Sequence, residues 1–170
     1  MYAKKETTRA NILSIYLLYF ISGSVSFYTN ALMILILKDP AYYDIPESEI
    51  GRTTGTILFW SNIIPIIFFP FYAFIFELIG RRIPLLGGIF LLAITCFFYP
   101  WLAPNALALV VLRVAVAMIT TLFVSCPLIN DYIKKESRGL AVTYQAMSIG
   151  ISITFTALIL VPATQKLDFT

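Results

Sequence analysis

Histidine is absent from the 170 residues of the chain, and cysteine occurs only twice, at Cys96 and Cys126. The sequence therefore lacks the ligands and bases needed for zinc centres, haem ligation by histidine, Cys–His catalysis and histidine proton relays. Both cysteines lie inside apolar runs, so we expect them to be packing residues. The acids at the ends of these runs, Glu77 and Asp131, do not complete a nucleophile–base set. The sequence predicts no enzyme, no cofactor and no metal site.

Charged residues are also scarce, at 12% of the chain against 59% for hydrophobic residues. Soluble domains contain about 25% charged residues. A chain so poor in charge cannot cover a globular surface with groups that water solvates well. The net charge of +3 is small and dispersed, which argues against nucleic acid as a partner. The sequence therefore predicts a protein whose solvent is the lipid bilayer.

Five apolar stretches are long enough to cross a bilayer, because a helical span needs about 20 mostly apolar residues. They cover residues 11–37, 55–79, 83–102, 105–130 and 140–163. The links between them are short, so we expect residues 1–170 to form a single membrane domain. The predicted fold class is an all-α membrane protein, a bundle of five transmembrane helices.

Lysine and arginine fall mainly on one side of these spans, which predicts the orientation of the chain. The opposite side has three basic residues and the acidic loop KDPAYYDIPESEIGR. The basic residues on the positive side number eight: Lys4, Lys5, Arg9, Arg81, Arg82, Lys134, Lys135 and Arg138. We therefore expect the N-terminus on the positive side, in the cytosol or matrix. The organelle stays open, with the mitochondrial inner membrane and the plasma membrane both candidates.

The connector between the second and third spans carries three charges in AFIFELIGRRIPLL. On charge alone, Arg81 and Arg82 are held in anionic headgroups and only orient the protein. The spacing Ala73–x–x–x–Glu77–x–x–Gly80–Arg81–Arg82 resembles the loop between the second and third spans of the major facilitator superfamily. There the pattern is Gly–x–x–x–Asp–Arg–x–Gly–Arg–Lys/Arg, so this chain departs from it at residues 73, 77 and 78.

Two further stretches resemble the same superfamily in the correct order. LRVAVAMITTLF places Arg113 inside the fourth span, and CPLINDYIKKESRGLAV places Asp131, Arg138 and Gly139 around the next loop. The resemblance covers most of residues 10–163, five of the six spans of an N-terminal half. It implies a gating role for a charge latch in which opposite charges at helix ends hold one face closed. The latch consists of Glu77, Gly80, Arg81, Arg82, Asp131 and Arg138.

Three polar residues lie within the spans at a similar count from their outer ends: Asn30, Asn62 and Arg113. We expect them to form a polar layer in the outer half of the membrane. A buried arginine costs about 2.5–3.5 kcal/mol on insertion scales. Arg113 therefore either reaches out to the outer headgroups or faces the central cavity. The resemblance places the first and fourth spans on that cavity, and no acid lies in the spans at this depth.

The superfamily normally has twelve spans in two halves, with the substrate between them. Five spans alone are expected to be too short for transport, and to need protein over the faces of the first, second and fifth spans. Three alternatives stay open: a membrane subunit of a larger assembly, a half-transporter completed by a twin or second half, and part of an ordinary full-length transporter. The expected partners are the lipid bilayer and other membrane chains, with a small solute as a further candidate.

Overall fold

The computed structural model describes residues 9–39, 42–43, 45–98, 101, 103–126 and 128–166, and every structural statement below concerns these residues. A 3₁₀ turn covers Lys135–Ser137, and a π-helical turn covers Thr156–Leu160. The α-helices are α1 (Arg9–Lys38), α2 (Glu47–Leu78), α3 (Arg82–Phe98), α4 (Ala106–Ser125), α5 (Leu128–Tyr132), α6 (Arg138–Phe155) and α7 (Val161–Lys166).

Four helical segments are long and apolar enough to cross a membrane: Arg9–Lys38, Glu47–Leu78, Ala106–Tyr132 and Lys135–Lys166. They correspond to the first, second, fourth and fifth predicted spans. α3 corresponds to the third and is apolar, but it has 17 residues. At 1.5 Å per residue it is about 26 Å long, slightly less than a hydrocarbon core of about 30 Å. The prediction of an all-α membrane protein is confirmed.

Two sequence signals define the ends of α4. The Asn105 side chain accepts hydrogen bonds from the backbone N–H groups of Leu107 (3.1 Å) and Ala108 (3.3 Å), which caps the first turn. At the other end Cys126 is extended, with φ −67° and ψ 120°. Cys126 precedes a proline in the sequence, and the proline ring disfavours the helical conformation in the residue before it. This explains why the predicted fourth span divides into α4 and α5.

The chain forms two compact units, and one of them is Thr29–Cys126. In this unit α4 packs against both α2 and α3. The Tyr72 hydroxyl donates to the Met118 carbonyl at 3.0 Å, which joins α2 to α4. Gly88 of α3 lies so close to the Phe123 ring that an added Cβ would be 2.8 Å from it. A buried apolar cluster consists of Met33, Leu37, Tyr43, Ile57 and Leu109.

The other unit comprises Met1–Tyr28 and Pro127–Thr170. Here the first part of α1 packs along α6 and α7. Tyr16 contacts Tyr144 edge-to-face, with ring centroids 6.1 Å apart. Farther along α1, the Tyr28 hydroxyl is 2.9 Å from the Thr164 hydroxyl. Since the contacts advance in the same direction on both partners, α1 runs parallel to α6 and α7 within this unit.

A small-residue contact lets α1 approach α6 closely. A Cβ built on Gly23 would collide with the Ser152 side chain. Ser152 is fully buried, and its hydroxyl donates to its own helix at Ile149, 2.7 Å away. Small residues at membrane helix interfaces allow such backbone approach. Gly23 lies in ISGSVS, residues 21–26, a stretch of mostly small residues that supplies this contact.

Candidate functional site

A buried polar pair links α1 to α4 within the Thr29–Cys126 unit. The Arg113 guanidinium donates two hydrogen bonds to the Asn30 side-chain oxygen, from Nε at 2.9 Å and from Nη2 at 2.6 Å. Arg113 is only 4% exposed. The structure therefore brings together two of the three residues predicted to form the polar layer.

The depth of this pair follows from the helix bounds. Arg113 is seven residues after the start of α4 at Ala106, and Asn30 is eight residues before the end of α1 at Lys38. At 1.5 Å per residue these separations correspond to about 10–12 Å along each helix. Met33 is three residues from Asn30 toward the end of α1, and Leu109 is four residues from Arg113 toward the start of α4. The apolar cluster therefore begins about one helical turn from the pair. The pair is thus enclosed by apolar side chains on that side.

The chemistry of the pair differs from that of a salt bridge. Neither α1 nor α4 contains an aspartate or glutamate. The partner of Arg113 on α1 is therefore an amide oxygen and not a carboxylate. A charge-assisted bond to an amide is stronger than a neutral one, but it leaves the positive charge of the guanidinium in place. Arg113 thus carries a fixed positive charge into the membrane-spanning part of the protein. Such residues are rare in spans, which makes Arg113 a candidate functional residue.

The side chain of Asn62, the third predicted member of the layer, bonds within its own helix, and its depth relative to the pair stays a prediction. It is exposed, and its side-chain amide donates to the Leu58 carbonyl of its own helix at 2.7 Å. α2 begins at Glu47, whereas the predicted span began at residue 55. Counted from the helix end, Asn62 is therefore the sixteenth of 32 residues and lies at the middle of α2.

The first four residues of the predicted charge latch belong to the Thr29–Cys126 unit. Glu77 is in the last turn of α2, and Arg82 begins α3; both are exposed. Between them Gly80 has a φ of +79°, in the left-handed region that glycine adopts without steric cost. Arg81 is half-buried, and its carbonyl accepts a bond from the Leu85 N–H at 3.3 Å. The tight turn needed to join α2 to α3 is therefore made at Gly80.

The remaining latch residues belong to the other unit. Asp131 lies in α5 and Arg138 begins α6, and both are half-buried. The Arg138 guanidinium donates to the Asn130 carbonyl at 3.2 Å. Ion pairing between the two groups of latch residues stays a prediction.

One feature was missed at the level of the sequence. α1 and α5 line a groove of about 210 Å³ whose residues are Asn11, Ser14, Ile15, Leu18, Leu128 and Tyr132. The four α1 positions follow the i, i+3, i+4, i+7 spacing of one helix face. A signal was present, because Asn11 and Ser14 interrupt the apolar pattern on that face at the start of the first span.

The long apolar helices define the class of the protein: it is a multi-pass integral membrane protein. Large apolar side chains such as Leu13, 70% exposed, and Phe90, 69% exposed, have lipid as their natural surroundings. The family model of the Major Facilitator Superfamily matches residues 12–162, and the chain belongs to this superfamily. Members are generally transporters, so the chain is a membrane protein of transporter type. Comparisons with curated proteins and with solved structures gave no match.

Proposed function

We propose that the chain acts in transmembrane transport as a membrane subunit of a larger assembly, in which further protein covers the face of α2 around Asn62. The observation that carries this proposal is an exposed carboxamide in the middle of a membrane-spanning helix. Partner chains over the corresponding faces of α1 and α6 belong to the same proposal.

The length of α2 supports a position inside the hydrocarbon for Asn62, because this holds wherever along α2 the membrane-spanning part begins. A span takes about 20 residues, and every stretch of that length within Glu47–Leu78 includes Asn62. The bond to Leu58 satisfies only one of the two N–H groups of the amide. Exposing the remaining polar atoms to lipid costs about 1–3 kcal/mol, judged from mutational data. Protein contact or a water-filled path removes this cost.

A second candidate function is supported by the Asn30–Arg113 pair. If the covering protein is another copy of this chain or a separate half, the two bodies can enclose a solute path between them. A fixed positive charge about 10–12 Å from a helix end then attracts a small anionic solute to the path. This half-transporter differs from a scaffold subunit in the identity of the covering chain.

Site-specific photo-cross-linking in native membranes tests both candidates. A photoreactive phenylalanine at position 62 is compared with the same residue at position 90, an exposed position of α3, which is not among the helices expected to be covered. We expect protein adducts from position 62 and lipid adducts alone from position 90. A mass equal to two copies, or an adduct with a second chain of the same superfamily, identifies the half-transporter. An adduct with an unrelated polypeptide identifies the scaffold subunit. Lipid adducts alone from position 62 would contradict the proposal.

A further inference from the structure

The groove between α1 and α5 has an apolar floor and a polar rim. Ile15 and Leu128 are 6% and 7% exposed, and they form the floor together with the half-buried Leu18. Asn11 and Ser14 are exposed at the rim. The groove is therefore amphipathic.

Basic residues outnumber acidic ones in the two segments that carry this groove. Arg9 begins α1 two residues before Asn11, a spacing that puts it on the other face of the helix. The bond from Arg138 to the Asn130 carbonyl places a guanidinium on α5, which forms one wall. Across residues 9–18 and 128–138 the basic residues are Arg9, Lys134, Lys135 and Arg138, against the acids Asp131 and Glu136. These two segments thus carry an excess of two positive charges.

The size of the groove narrows the choice of ligand. Sites that enclose a whole small molecule have volumes of about 300–1,000 Å³. At about 210 Å³, this groove holds part of a molecule whose remainder lies outside. A lipid is such a molecule, because most of its length remains in the bilayer. Basic pockets between transmembrane helices on the positive side bind anionic headgroups.

We propose that the groove binds an anionic phospholipid. Its acyl chain packs on Ile15, Leu18 and Leu128, and its phosphate lies at the rim on the α5 side, where Arg138 supplies complementary charge. This site is separate from the Asn30–Arg113 pair, and it does not depend on whether the protein transports a solute.

Native mass spectrometry of the purified protein in detergent tests the proposal directly. Phosphatidylglycerol, phosphatidylcholine and inorganic phosphate are added in separate arms, and retained lipid and thermal midpoint are measured. We expect retention of phosphatidylglycerol and a rise in the midpoint in that arm alone. Equal retention of phosphatidylcholine would overturn the choice of an anionic lipid. The same rise with inorganic phosphate would show a simple anion site and overturn the lipid assignment.

Two variants locate the site, with a matched control. Ser14→Phe places a ring in the groove and should abolish the retention of phosphatidylglycerol. Leu13→Phe makes a similar addition at the neighbouring position, which is 70% exposed and does not line the groove, and should retain it. Arg138→Gln should weaken binding about fivefold, equivalent to the roughly 1 kcal/mol that one basic residue contributes near anionic lipid.

Misfolding is detected in phosphatidylcholine, where the variants should have wild-type thermal midpoints. If Ser14→Phe does not fold, Arg138→Gln carries the test. Unchanged phosphatidylglycerol retention in a folded Ser14→Phe variant, or in Arg138→Gln, would refute the assigned position.

Discussion

Replacing Asn30 with leucine removes the oxygen that accepts two hydrogen bonds from Arg113 while keeping a side chain of similar length. Hydrogen bonds to charged groups contribute about 1.5–3 kcal/mol each in soluble proteins. Interhelical bonds within membranes average about 0.6 kcal/mol and reach about 1.7. Because the guanidinium is 4% exposed, water in the folded state does not readily replace what is lost. Asn30→Leu removes two such bonds. We expect it to lower the free energy of unfolding by about 2–4 kcal/mol, a value between those for membrane and for soluble proteins.

The assay is reversible unfolding of the purified protein in mixed micelles of anionic and non-ionic detergent, followed by circular dichroism. Asn62→Leu is the matched control, because it makes the same replacement where the amide bonds only to its own helix. Its effect should be neutral or stabilising, because leucine removes exposed polar atoms from apolar surroundings. A double-mutant cycle with Arg113→Met should give a coupling energy of about 2 kcal/mol. Equal effects at positions 30 and 62, or a coupling energy near zero, would refute the energetic role of the pair.

Three further predictions concern the same measurement, the free energy or midpoint of unfolding. Gly80→Ala should cost about 1–2 kcal/mol because of its φ of +79°, whereas Gly87→Ala, with open space around it, should be neutral or stabilising; equal effects would contradict this. Gly23→Ala should cost about 1 kcal/mol, because the Ser152 hydroxyl must rotate away from the new Cβ and its bond to Ile149 is disturbed; a neutral result would mean that this hydroxyl moves aside at no cost. Burial raises the pKa of the Tyr43 hydroxyl, so as pH rises the unfolded chain loses the hydroxyl proton before the folded protein does, and the free energy of unfolding falls above about pH 10. Tyr43→Phe should lessen this loss of stability at alkaline pH, and an unchanged pH profile would contradict the reasoning.

Hydropathy predicted the spans well because the thickness of the bilayer sets the length of an apolar helix. The predicted second span starts at residue 55, eight residues inside α2, because polar residues form the first turns of that helix. Glu47 and Glu49 lie in the first turn, where negative charge interacts favourably with the helix dipole, so α2 begins at Glu47. Hydropathy therefore located the apolar part of the helix and not the helix itself.

Counting residues from the helix ends placed Asn30 and Arg113 at a similar depth, but could not show which side chains meet. Two residues at one level form a bond only if both helices are rotated toward each other, and packing sets that rotation. Asn62 illustrates this limit, since its side chain bonds to its own helix and is exposed. The π-helical turn Thr156–Leu160 had no sequence signal either, because nothing in TALIL distinguishes it from an ordinary apolar helix.

The most direct test of the proposed assembly is the composition of the native particle. The protein is extracted from its membrane into polymer nanodiscs without detergent, and the mass and subunit content of the intact particle are measured by mass spectrometry. We expect more protein than one copy of this chain, either a second copy or other polypeptides in fixed proportion. A particle that holds one copy of the chain and lipid alone would contradict the claim that further protein covers the face of α2 around Asn62.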